Sequence, residues 1–155
     1  MEKFSVQQGS IADLDLLTRH RLMMWEDIYP EKKESIEATE NITRNWIRSK
    51  LLNNEFTCFI IRDSNGSITG SGCILIKEDQ PRPTSSRLDY PYLLSMYTEK
   101  NYRRRGVGSL IVNEAIEWSK KHGFDRIVLH ASKDGRPLYV KFGFRETNEM
   151  KLEFV

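Results

Sequence analysis

Arg103-Arg104-Arg105-Gly106-Val107-Gly108, running on into Ser109-Leu110-Ile111-Val112-Asn113-Glu114-Ala115, is the stretch on which the reading of this chain turns. Val107, Leu110, Ile111, Ala115 and Trp118 recur at helical spacing, so an amphipathic helix is predicted from Gly106 to His122, with Gly123 as its cap. The first turn of any helix has amide N–H groups without intrahelical acceptors, and the helix dipole adds partial positive charge there. Glycines at 106 and 108 would let an anion approach the backbone closely. The junction therefore reads as an anion cradle with arginines at hand. It is not a dinucleotide fingerprint, because Ile111 stands where a third glycine is required, and no G-x-x-x-x-G-K-[ST] loop occurs. An arginine run alone would be a solvated patch or a nucleic-acid contact, but neither needs glycines and a helix start behind it.

Upstream, Pro91 to Thr98 reads as a strand joined to the cradle by the polar connection 99–105. Further back, Ser64-Asn65-Gly66-Ser67 reads as a tight hairpin turn between strands at 55–63 and 67–77. If Ser64 faces Ser67, then Cys58 faces Cys73, and counting from the turn makes them a hydrogen-bonded pair with side chains held apart. Two buried free thiols are expected, as reduced thiols are in the cytosol. A short strand at 4–6 opens the chain. Ser10-Ile11-Ala12-Asp13 resembles a capping box and starts a helix that Pro30 ends, and a second helix is predicted over 34–52. Residues 78–90, with Pro81 and Pro83, read as a loop. After the amphipathic helix come a strand at 125–130, a short helix around 137–141, and one or two strands within 144–155. Strands alternating with helices in this order predict one α/β domain over 1–155, with a mixed sheet flanked by helices.

Bulk properties narrow the partners. The net charge is +2, far from the basic excess of a dedicated nucleic-acid binder. No apolar run is long enough to span a bilayer, and the N-terminus lacks the apolar stretch of a secretory signal. A cytoplasmic location is expected, without membrane or nucleic-acid partners. Cys58 and Cys73 form no metal-ligand cluster, and no metal is expected.

Arg103-x-x-Gly106-x-Gly108 is similar to the R/Q-x-x-G-x-G/A acetyl-CoA signature of the GCN5-related N-acetyltransferases (GNAT). Leu138-Tyr139-Val-Lys-Phe-Gly143-Phe144 resembles the same family's L-Y-x-x-x-G-F, at the expected separation. The resemblance runs from about Leu93 to Phe144, and element order extends it to the whole chain. It implies a mostly antiparallel twisted sheet whose fourth and fifth strands splay at the acetyl-CoA site. It also implies direct acetyl transfer to an amine acceptor that the sequence does not specify. The backbone amides of Arg104, Arg105, Gly106, Val107, Gly108 and Ser109 would hold the diphosphate. The Arg103 side chain would assist there or brace the loop. Met96 and Thr98 would bond the pantetheine through main-chain atoms. Ser132 stands where many members carry Asn and would contact the same arm. Tyr139 would be the general acid.

A non-catalytic acyl-CoA-binding domain is the alternative reading. Dimers are common in the family, which leaves a homodimer open. Glu26, Asp27, Glu99 and a water chain are all candidates for the base, and His130 reads more as a structural histidine. The acceptor pocket is expected between the first two helices and the loop 78–90. Trp25, Tyr29 and Trp46 could line it, although aromatics at helical spacing favour core. Arg21 would meet an acceptor carboxylate or pair with a neighbour.

Overall fold

A computed structural model describes residues 2–155. Its elements are β1 (Ser5–Gln8), α1 (Leu14–Ile28), α2 (Lys33–Glu37), α3 (Glu40–Leu52), β2 (Phe56–Arg62), β3 (Ile68–Glu78), β4 (Asp89–Thr98), α4 (Val107–Lys121), β5 (Val128–Leu129) and α5 (Arg136–Lys141). The strands form one sheet in the order β1-β2-β3-β4-β5, antiparallel except for the parallel β4–β5 pair. The expected mixed, mostly antiparallel α/β sheet is present.

The sheet separates two apolar layers. On one face Leu14, Leu17 and Ile47 of α1 and α3 pack on Phe56, Cys58 and Cys73. On the other, Val112 and Ala115 of α4 pack on Phe59, Ile74 and Leu93. Ser10 starts α1 through a short 3-10 turn as a true capping box: Asp13 accepts from the Ser10 amide at 2.8 Å, and Ser10 Oγ accepts from Ala12. Gly70 and Gly72 of β3 let α4 sit close. A Cβ on Gly70 would lie 2.8 Å from Val107 Cγ1, and one on Gly72 would collide with Ile111 and approach Met96 Sδ at 2.9 Å.

The structure corrects several expectations. The second helix is broken at Ala38–Thr39, where Thr39 Oγ1 donates to the Ile36 carbonyl at 2.6 Å and competes with the helical ladder. The hairpin loop is Ser64–Gly66, closed by Asp63 N–H to Ser67 at 3.0 Å, with Gly66 at φ 83°. A bulge at Ile61/Arg62 then restores the register, so Cys58 does face Cys73. The same bulge inverts the pairing type. Ile76 donates to Glu55, and the Cys58 carbonyl accepts from Gly9, just past the end of β1, so the two cysteines form the close, non-hydrogen-bonded kind of pair. Both are free, buried thiols. Burial pushes the Cys58 thiol far up, with the neighbouring Cys73 adding to it.

The expected strand at 125–130 pairs over Val128–Leu129 alone, and residues 144–155 form no strand. In the first case β4 turns away. In the second, Glu149 to Phe154 alternate charged and apolar residues as a strand would, but pair with no strand edge. Met150, Leu152 and Phe154 are exposed.

Candidate active site

The site is built where β4 parts from β5. β4 pairs with β5 at Tyr92 and Leu93 and with β3 along its whole length, but its register with β3 shifts between Leu94 and Tyr97. Ser95, at φ 55°, takes up the extra residue. Such a bulge bends a strand and raises its twist. Beyond it the β5-facing edge of β4 is unpaired. Glu99 donates its N–H to Thr69 on β3 at 2.9 Å. By alternation the main-chain groups of Thr98 and Met96 face the open edge.

The cradle follows. Arg103 crosses back, donating Nε–H to the Thr98 carbonyl at 3.0 Å and pairing with Asp27 of α1 at 2.5 Å. Of the two expected roles, bracing the loop is the one its contacts display. Arg104 has φ 63° and Gly106 φ 88°. A non-glycine residue in the left-handed region costs roughly 1–2 kcal/mol, and such strain clusters at functional sites. α4 begins at Val107 with no side chain capping it, since its N-cap is Gly106. The amides of Val107, Gly108 and Ser109 are thus presented outward with the dipole behind them. The Arg105 side chain is turned away to Glu2 and to the Asn101 carbonyl. Arg104 is exposed and makes no ion pair among the described residues. Tyr102 pins the loop from below, donating to Asp63 Oδ2 at 2.7 Å; Asp63 also accepts from the amides of Asn65 and Ser67 in the hairpin.

Tyr139 enters from α5. Its carbonyl accepts from Phe144 N–H at 3.2 Å, Gly143 has φ 90°, and the Phe144 ring packs edge-on to Tyr139 at 5.8 Å. This is a Schellman cap with its apolar contact, the physical content of the L-Y-x-x-x-G-F spacing. Gly135 closes the other side, where a Cβ would lie 3.2 Å from Tyr139 Cε2. The ring is buried, and burial raises the phenol above its ordinary value, so the hydroxyl keeps its proton at neutral pH. Ser132 Oγ accepts from Gly135 N–H at 3.1 Å and so shapes the turn into α5.

On the opposite face, α1 and α3 enclose a cavity of about 380 Å³ against β3 and β4, reaching Ser95. Arg21, Trp46, Lys77 and Tyr92 are among its lining residues. The loop 78–90 contributes none; it is tied instead towards the end of α4 and the approach to β5, by Arg87 to the His122 carbonyl and Ser85 to Asp125.

Residues 20–144 match the family described as acetyltransferase (GNAT) family. The chain belongs to that family. Among solved structures, a GCN5-related N-acetyltransferase from Ralstonia eutropha JMP134 superposes with a TM-score of 0.90 at 25% identity, covering 98% of this chain and 99% of that one. A predicted acetyltransferase from Clostridium acetobutylicum, crystallised with acetyl-CoA, gives 0.85 at 26% identity, covering 97% and 96%. N-acetyltransferase family 8 member 3 of Rattus norvegicus is 30% identical over 67% of this chain and 45% of its own length. Glucosamine 6-phosphate N-acetyltransferase of Trypanosoma brucei brucei is 28% identical over 57% and 58%. The matches thus span about half the length of these two relatives. No helix of this GNAT chain, among the described residues, is long and apolar enough to cross a membrane.

The remaining sequence candidates in this GNAT domain fall in different places. Asp27 is held by Arg103, and Glu99 by Arg19 at 2.7 Å and His20 at 2.9 Å. Glu26 and Asp27 border a polar hollow with Lys33 and Lys100. None of these carboxylates lines the apolar cavity. His130 is exposed, edge-on to Tyr92 at 5.3 Å. Trp25 stacks on Tyr29, while Trp46 does reach the cavity.

Sequence reasoning missed His20. Its ring is buried, with Nδ1 2.7 Å from Ser71 Oγ and Nε2 2.9 Å from Glu99. Those partners fit a neutral ring that donates from Nε2 and accepts at Nδ1. Tyr97 packs against it, and the Tyr97 hydroxyl is buried without a hydrogen-bond partner among the described residues. Burial lowers His20 below its ordinary 6.5, partly offset by the Glu99 hydrogen bond. For Glu99 burial would raise the carboxyl, but the bonds from His20 and Arg19 outweigh it and hold it below 4.5. In both groups the folded form binds protons more weakly than the unfolded chain. Stability from His20 is therefore present above pH 6.5 and is lost as pH falls below it, with Glu99 following below 4.5. Urea midpoints are expected to drop between pH 7.5 and 5.5, and His20→Gln is expected to flatten that slope.

Proposed function

We propose that this GNAT protein is an acetyl-CoA-dependent N-acetyltransferase that moves the acetyl group directly to an amine acceptor. The observation that carries the proposal is the uncapped α4 N-terminus, reached through two left-handed residues and opening beside the bare edge of β4. That donor set suits a diphosphate: the amides of Arg104 to Ser109, a helix dipole, and no acidic residue from Arg103 to Asn113. Met96 and Thr98 offer main-chain groups to the pantetheine, with the Thr98 carbonyl shared with Arg103. Ser132 keeps a hydroxyl proton to donate to the same arm. Acetyl-CoA supplies the activated thioester.

Tyr139 gives its proton to the departing thiolate as general acid. A phenol held protonated by burial suits that task, and a low-dielectric site also raises the basicity of the thiolate it protonates. The amine loses its proton to water chained to main-chain carbonyls, because the carboxylates offered by the sequence are engaged in ion pairs or stand outside the cavity. The chain carries no G-x-S-x-G elbow, Cys58 and Cys73 are buried beneath the cavity and not among its lining residues, and burial holds the Cys58 thiol protonated, which supports transfer without a covalent acyl-enzyme. Free thiols support a cytoplasmic location.

The test is calorimetric titration with coenzyme A, followed by thiol release with a panel of amines and mass spectrometry of the products. Binding with turnover is the expected result. Binding without turnover of any amine would identify an acyl-CoA-binding domain instead, and no binding would remove the proposal altogether.

A further inference from the structure

The cavity between α1, α3, β3 and β4 has an uncommon charge pattern. Its walls are mainly apolar, with Trp46, Tyr92 and Leu94 among them, and its lining includes two cations, Arg21 and Lys77, and no carboxylate. Arg21 is the unusual one. Arg19, Arg44, Arg103 and Arg105 each reach an acidic side chain. Arg21, half-buried against the cavity, reaches none among the described residues. Its guanidinium donates one hydrogen bond, to Ser95 Oγ at 3.2 Å, and lies over the face of Trp25, whose centroid is 5.0 Å from the guanidinium carbon. Burial depresses its basicity, as expected of a cation partly withdrawn from water without a counter-ion.

A guanidinium has five N–H donors in a planar fork, shaped for the two oxygens of a carboxylate or phosphate. Leaving it desolvated and unpaired is costly, and the cost is recovered when an anion arrives. Lys77 adds a second positive charge, its ammonium 3.7 Å from the centroid of the Tyr92 ring, with no ion pair among the described residues.

From this we infer that the acceptor of the proposed transfer is a small amine that also carries a carboxylate or phosphate, seated with its anion on Arg21 and its body against Trp46. The inference rests on the acetyltransferase reading for the word acceptor, but not for the anion site. The location agrees with it. Ser95, the hydrogen-bond partner of Arg21, is the bulge residue at which β4 turns away, so the anion is held at the end of the cavity beside the open edge. The same two cations disfavour polyamines and lysine side chains, since like charges repel strongly between low-dielectric walls. A cavity of about 380 Å³ takes an amino acid or a phosphorylated amino sugar.

Matched acceptors test it: an aromatic amino acid against its amide, and a hexosamine 6-phosphate against the free hexosamine. The anionic member of at least one pair is expected to have a kcat/KM about a hundredfold higher, the scale on which losing one partner of a buried charge pair is felt. Which pair responds tells carboxylate from phosphate. In Arg21→Gln the ratio should collapse towards one while coenzyme A affinity holds, and Lys77→Gln should lower it less. Neutral or cationic amines matching the anionic ones would overturn the inference, as would a ratio unmoved in Arg21→Gln.

If no amine is acetylated, the transfer reading fails and the anion site is judged by calorimetry of the same four compounds on coenzyme A-saturated protein. Selective binding of an anionic member, lost in Arg21→Gln, sustains the site. Equal binding of charged and neutral members, or none, ends it.

Discussion

Tyr139→Phe is expected to lower kcat by about 10²-fold or more while the affinity for coenzyme A changes less than about twofold, since a positioned general acid contributes roughly 10²–10⁴. The two effects separate because the ring and the hydroxyl do different things. The ring fills the space between Gly135 and Phe144 and helps hold α5 against the sheet, and phenylalanine keeps all of that. The hydroxyl alone would be lost, and with it the proton for the leaving thiolate. Single-turnover kinetics read the chemical step directly. A variant with kcat intact would make Tyr139 a packing residue and move acid catalysis to water.

The second large effect is expected at Gly106. Its φ is 88° and an added Cβ would meet nothing within 4 Å, so glycine is required there by backbone conformation and not by crowding. Gly106→Val places a β-branched residue in the left-handed region at a cost of more than about 1–2 kcal/mol. The chain relieves that cost by turning the peptide and withdrawing amides from the cradle. Coenzyme A affinity should fall between about tenfold and a hundredfold, at about 1.4 kcal/mol per decade. Gly106→Asn is the control, because asparagine tolerates this conformation, and it should retain most of the affinity. Equal affinities in all three proteins would show that the diphosphate sits elsewhere.

The parts of this fold legible in the sequence are those decided within a few residues. α4 announces itself by its period and its glycines, and α5 by the spacing of Tyr139, Gly143 and Phe144. Facing of Cys58 and Cys73 was also readable, but not their pairing type, because one bulged residue at Ile61/Arg62 reverses it without moving the partners. The bulge at Ser95 has no local signature, yet it shortens β5 and opens the site. Residues 149–154 show the converse: a strand pattern without an edge to pair with. The break before α3 is marked by a threonine hydroxyl bonded to the Ile36 carbonyl, which no periodicity announces. Within the candidate site, the glycine-led start of α4 was legible because it is contiguous in the chain. The contacts Arg103–Asp27, Arg21–Ser95 and His20–Glu99 join positions more than seventy residues apart, and no spacing rule reaches that far.

Gly70 and Gly72 carry one more implication. They belong to the central hairpin, well away in sequence from the turn at 103–108, yet their missing side chains set the height at which α4 rests on the sheet. That height in turn sets where the helix tip stands relative to the bared rim of β4. In the proposed mode of binding, the grip on the donor's phosphate end and the reach of its thiol end would thus be gauged by two hydrogens on a neighbouring strand, and a single methyl added there would lengthen the span that one ligand has to bridge.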